Sequence, residues 1–157
     1  MSVTAFPNDM SGQRERGWTL TTPGPLGESI RELALMLRAP RTPAGTDRTL
    51  RDQLRALLAP VREAFAAHRA ATEGSTGIYA EMVLDAPRLA RTVDGLVAEH
   101  DAIDAAMDTL AHWIEEVSGD IEALRRRALA VLDEIARHGQ HDADLVHAAY
   151  TTDLGGE

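Results

Sequence analysis

Three of the six histidines in this 157-residue chain fall where the surrounding pattern asks for an apolar side chain. Between Leu96 and Ile103 the spacing of three and four leaves a core position, and His100 fills it. After Ile135 the next two inward positions are His138 and Asp142 rather than leucines. Leu50, Leu54, Leu57 and Val61 lead, a heptad later, to His68. His112 and His147 fall on outer positions of the same pattern, and His141 lies at its flank. Acids accompany the inward histidines. Asp104 is four residues after His100 and Asp142 four after His138, a spacing that places both members of a pair on one helix face. Glu73 is five residues after His68, a poorer helical fit, and reaches inward only if the helix ends or bulges at Gly74. Glu81 is a weaker substitute.

Burying several ionisable groups costs several kcal/mol unless each finds a partner. A divalent metal is an efficient partner, and imidazole nitrogen with carboxylate oxygen and no sulfur suits iron, manganese or zinc. His68, Glu73, His100, Asp104, His138 and Asp142 are therefore the candidate ligands. Three carboxylates and a bridging hydroxide or oxide would balance the charge of two such ions. The alternative is a metal-free set of His–Asp hydrogen bonds across the core.

These residues need helices to position them. Apolar side chains recur at spacings of three and four over about 27–38, 47–72, 88–117 and 119–150, each stretch carrying one buried stripe. Leu26, Ile30, Leu33 and Leu37 form the first stripe. Leu89, Val93, Leu96, Ile103, Met107, Leu110 and Ile114 form the third, and Ile121, Leu124, Ala128, Val131, Leu132, Ile135, Leu145 and Ala149 the fourth. Thr46 or Asp47 can cap the second stretch, and Pro60 inside it predicts a kink or a break. A short helical piece, IYAEMVLDA, stops before Pro87. Residues 1–25, rich in proline and glycine, read as a flexible arm on which Trp18 is the one adhesive side chain. The expected fold is all-α: an up-down-up-down four-helix bundle over residues 26–157 behind that arm.

Composition removes several function classes. The net charge is −9, against the basic face that nucleic-acid binding requires. Cysteine is absent, which excludes disulfides, thiolate metal sites and cysteine nucleophiles. All 16 basic residues are arginine, so lysine Schiff bases and a Walker-type phosphate loop are excluded too. No apolar run reaches the roughly 18 residues of a membrane helix, and the N-terminus lacks a signal-peptide core. The expected location is the cytoplasm, with neither membrane nor nucleic acid as partner. Arg125-Arg126-Arg127 reads as a solvated helix face, with pairing to acids of a second copy in a homodimer as the alternative.

The histidine–acid segments resemble the hemerythrin-like (HHE cation-binding) family, whose pattern is H-x-x-x-E on the second and fourth helices and E-H on the third. HRAATEG (68–74) looks like the second-helix segment, AEHDAID (98–104) like the third, and HGQHDADLVHAAYTTDLGG (138–156) like the fourth with its tail. IYAEMVLDAPRLARTV (78–93) is similar to the connector of some bacterial members. The resemblance implies a four-helix bundle around a histidine–carboxylate di-iron centre, with two iron ions per chain. It assigns His68, His100 and His138 to ligand positions. Asp142 stands where the pattern has glutamate, Asp104 where classical members have a second histidine, and Thr72, beside Glu73, where a carboxylate is usual. The first helix carries no histidine, so the site is histidine-poor.

The reading that follows is a non-heme iron protein that binds, senses or turns over oxygen, nitric oxide or peroxide, with enzymatic turnover left open. The competing reading is a metal-free helical interaction or small-ligand module that kept the bundle and lost the cofactor.

Overall fold

The computed structural model describes residues 24–40, 47–116 and 119–151. Most of the arm read over residues 1–25, Trp18 included, the Thr46 cap and the tail from Asp153 lie outside the described residues. Helix α1 spans Pro25–Arg38 and α2 spans Asp47–Thr72. A short α3, Ile78–Asp85, and a 3-10 turn, Pro87–Leu89, lead into α4, Ala90–Glu115. Helix α5 is Ile121–Thr151. Helix α1 begins at Pro25 rather than Gly27, because proline at the first turn gives up only an N–H that had no helical partner.

The helices form a ring: α1 packs on α2, α2 on α4, α4 on α5, and α5 returns to α1. Cross-helix pairs give the directions. Arg55 binds Glu115 and Arg62 binds Asp108, so α2 and α4 run antiparallel. His100 meets His138 while Arg127 covers the Trp113 ring, so α4 and α5 do as well. Most of the expected stripes are in the core, with Leu33, Leu37, Leu54, Leu96, Met107, Leu110, Ile114, Leu124 and Ile135 all fully buried, while Leu50, Leu57, Val93 and Ala149 are only partly buried and Leu58 and Phe65 take core places on α2. Such side chains each contribute roughly 1.5–3 kcal/mol by leaving water.

Pro60 does not break α2, which runs through it without interruption. The proline lies on the exposed side. The Ala56 carbonyl that loses its helical donor is therefore on the wet face, where water can replace the bond.

Core contacts divide into two apolar clusters. The larger holds Leu33, Leu54, Phe65, Ile103, Leu124 and Ile135 with their neighbours. The smaller, at one end of the bundle, joins Tyr79, Met82 and Leu89 to Leu96 and Leu145. The opposite end is closed by Arg51, which is 6% exposed. Its guanidinium donates to the carbonyls of Trp113 at 2.8 Å, Ile114 at 3.2 Å and Gly119 at 2.9 Å. It thus satisfies two acceptors that the end of α4 leaves without helical donors, and a third at Gly119 ahead of α5. Replacing this side chain strands buried carbonyls, at about 1–3 kcal/mol for each group left unpaired. Arg51→Met, which keeps the aliphatic stem, is expected to lose about 2–3 kcal/mol in urea unfolding and to leave ligand binding at the far end unchanged.

Candidate metal centre

Between the two apolar clusters lies a layer of polar side chains. Along α4 the order is Leu96, His100, Ile103, and along α5 it is Ile135, His138, Asp142, Leu145. Helix α2 supplies Phe65, His68 and Thr72. His68, His100, His138 and Asp142 are all buried. The three Nε2 atoms face one another: His100 to His138 at 2.8 Å, His68 to His138 at 3.2 Å and His68 to His100 at 3.2 Å. Asp142 Oδ2 lies 3.1 Å from His68 Nε2 and 3.4 Å from His138 Nε2. Phe65 packs beneath, its ring centroid 5.6–6.2 Å from the three imidazoles.

The outer nitrogens of two of these rings are tied to carboxylates. Glu73 Oε1 accepts from His100 Nδ1 at 2.5 Å, and Glu99 Oε2 accepts from His138 Nδ1 at 2.8 Å. The other oxygen of Glu99 accepts from His141 Nδ1 at 2.7 Å. Helix α2 ends at Thr72, and Gly74 turns the chain with a φ of 88°. That ending lets Glu73 swing toward His100. At Gly77 a Cβ would lie 2.4 Å from the carbonyl oxygens of both Thr72 and Glu73. Only glycine lets α3 approach so closely and lay Tyr79 over the site. The Tyr79 ring stacks on His100, with centroids 6.0 Å apart and planes 14° apart, and its hydroxyl donates to Asp142 Oδ1.

Electrostatics follow from these contacts. Burial opposes the charge on Asp142, yet hydrogen bonds from His138, His68 and Tyr79 hold its pKa well below the usual carboxylate range. Burial and then the Asp142 charge push the Tyr79 phenol far up, so it stays a donor. Burial lowers the pKa of His100, and the neighbouring imidazoles reinforce this against the pull of Glu73. Burial also opposes charge on His138, but Asp142 and Glu99 outweigh it and raise its pKa.

The hemerythrin HHE cation-binding domain matches residues 28–149 of the chain. The chain belongs to this family. Neither the curated proteins nor the solved structures give a match. In this HHE domain the donor set fits a divalent ion on an argument internal to the structure. A carboxylate on Nδ1 fixes the proton there. The Nε2 atoms of His100 and His138 then face each other across 2.8 Å, a separation at which they can share a proton or a metal ion. Two nitrogens sharing an ion at about 2.1 Å lie roughly 3.0–3.4 Å apart, close to the separations found. The buried histidine cluster can hold a metal.

The expected site residues fare differently. His68, His100, His138 and Asp142 converge. Glu73 reaches the group, but on the outer nitrogen of His100 rather than among the Nε2 atoms. Asp104 is not brought in: its half-exposed carboxylate pairs with Arg69. Glu81 is exposed. Thr72 donates its hydroxyl to the His68 carbonyl at 2.9 Å. His112 and His147 are exposed and His141 is partly so, in line with their places in the pattern. Sequence reasoning missed Glu99 and Tyr79. Glu99 lay inside the E-H segment at 98–104 but was not named as a site residue. Tyr79 had none beyond its place in the connector.

Removing any one imidazole from the converging set is expected to abolish metal retention through desalting. This can be read by elemental analysis of His68→Ala, His100→Ala and His138→Ala. Asp104→Asn should retain the wild-type amount. Glu73→Gln and Glu99→Gln should weaken affinity by about 10–100-fold, the usual cost of losing the partner that orients a histidine ligand.

Proposed function

We propose that this HHE domain holds non-heme iron on His68, His100, His138 and Asp142 and uses it to bind or sense a small diatomic molecule or peroxide. The observation that carries this is the meeting of three buried imidazole Nε2 atoms beside Asp142 Oδ2, with two of the rings oriented by Glu73 and Glu99 on their outer nitrogens. Family membership over residues 28–149 supports cation binding. Nitrogen and carboxylate donors without sulfur suit iron, with manganese and zinc as the competing ions. Iron bound there supplies one-electron chemistry and coordination positions that four protein donors do not fill.

The rest of the work belongs to the protein. Phe65 below and the Tyr79 cluster above keep the polar layer out of bulk water. Tyr79 anchors one oxygen of Asp142 and leaves the other turned toward His68 and His138. The carboxylates on the outer nitrogens keep His100 and His138 oriented and raise their basicity. Among the described residues no helix is long and apolar enough to cross a membrane.

Protein grown with iron should carry it through purification. A ligand that binds only the native state stabilises by about 2.7 kcal/mol at a hundredfold excess over Kd. That corresponds to roughly 5–10 °C in a domain of this size. Melting is therefore expected to shift upward by that amount with ferrous iron and back with chelator. Anaerobic nitric oxide should give the ferrous protein a half-integer-spin EPR signal. A protein that carries no metal, and whose melting ignores both iron and chelator, is instead a metal-free interaction module.

A further inference from the structure

We infer that the centre takes a single ion per chain, and that Arg69 stands where a second cation would otherwise be needed. This rests on the metal-binding reading above and departs from the two ions that the family resemblance implied. Its ground is how the remaining donors are committed. Arg69 follows His68 on α2 and turns its guanidinium toward three carboxylates. Its Nε lies 3.0 Å from Glu73 Oε1 and one terminal nitrogen lies 2.9 Å from Asp101 Oδ1. The other terminal nitrogen donates to Asp104. Glu73 and Asp104 are two of the three carboxylates that the sequence offered to a two-metal centre.

Among the described residues, the other side-chain oxygens beside the histidines are similarly engaged. Glu99 spans His138 and His141. The Thr72 hydroxyl points back along its own helix to the His68 and Arg69 carbonyls. Tyr79 holds the second oxygen of Asp142. The inward donors are thus three nitrogens and Asp142 Oδ2, grouped around one point. Two-metal sites hold their ions about 3.5–4 Å apart, which a triangle of nitrogens no wider than 3.2 Å does not span.

Arginine suits the role because its charge is permanent and its planar fork meets several carboxylates at once. Through Glu73 it also positions His100: the oxygen that faces Arg69 Nε is the one that accepts from His100 Nδ1. A second divalent ion would have to enter beside a fixed positive charge and strip it of its partners.

The test is metal stoichiometry with a spectroscopic readout. Wild type, Arg69→Gln and Arg69→Lys are each loaded anaerobically with ferrous iron and, separately, with cobaltous ion, desalted, and analysed for metal per chain and by EPR. The wild type is expected to hold one ion with an uncoupled signal. Arg69→Gln is expected to rise toward two ions and to show magnetic coupling, while Arg69→Lys, which keeps the charge, returns to one. A wild type with two coupled ions overturns this inference and leaves the proposed function standing. A wild type that holds none overturns the proposed function itself. Arg69→Gln remaining at one ion overturns the role given to Arg69. If that variant does not fold, the wild-type count still decides between one ion and two.

Discussion

Three imidazole Nε2 atoms that meet in an apolar core are the constraint on which the rest of this molecule turns. Nothing about helix packing favours that arrangement. It exists because Glu73 and Glu99 hold protons on the outer nitrogens of His100 and His138 and so aim the inner nitrogens at each other. Glu73, just past the end of α2, orients a ring on α4, and Glu99 on α4 orients a ring on α5. The electronic state of the centre is therefore a property of the bundle, not of any one helix. It forms only when α2, α4 and α5 are in register.

The bundle is built to afford such a layer. Apolar clusters lie above and below it, and the larger one carries most of the core. Phe65 presents its ring to all three imidazoles, so the polar layer rests on a rigid surface and not on a gap. Arg51 closes the other end by bonding backbone carbonyls. The two buried cationic or ionisable regions are thus separated along the bundle axis, with hydrocarbon between them.

Around the centre, charge is arranged in shells of alternating sign. Asp142 is held ionised against its burial by the donors that surround it. Outside the imidazoles come Glu73 and Glu99, and outside Glu73 comes Arg69 with Asp101 and Asp104. Burial opposes the charge on Glu73, yet hydrogen bonds from His100 and Arg69 outweigh it and lower its pKa. Arg69, a quarter exposed, marks where this pattern meets solvent.

Periodicity alone determined the four long helices, their buried stripes and the inward direction of His68, His100 and His138. Each follows from a repeat near 3.6 residues that water enforces on any amphipathic helix. The same rule could not separate Asp142 from Asp104. Both sit four residues after an inward histidine, a spacing that leaves the second side chain about 40° around the helix from the first. On α5 that offset still points into the core, where Tyr79 and two histidines receive Asp142. On α4 it points at the seam with α2, where Arg69 waits for Asp104. Glu99 and Tyr79 were beyond the reach of spacing for a related reason. Each acts on a residue of another helix, 39 positions away for Glu99 and 63 for Tyr79. Which residues lie opposite each other across such distances is set by helix register and by the close approach at Gly77, and only the folded chain contains that information.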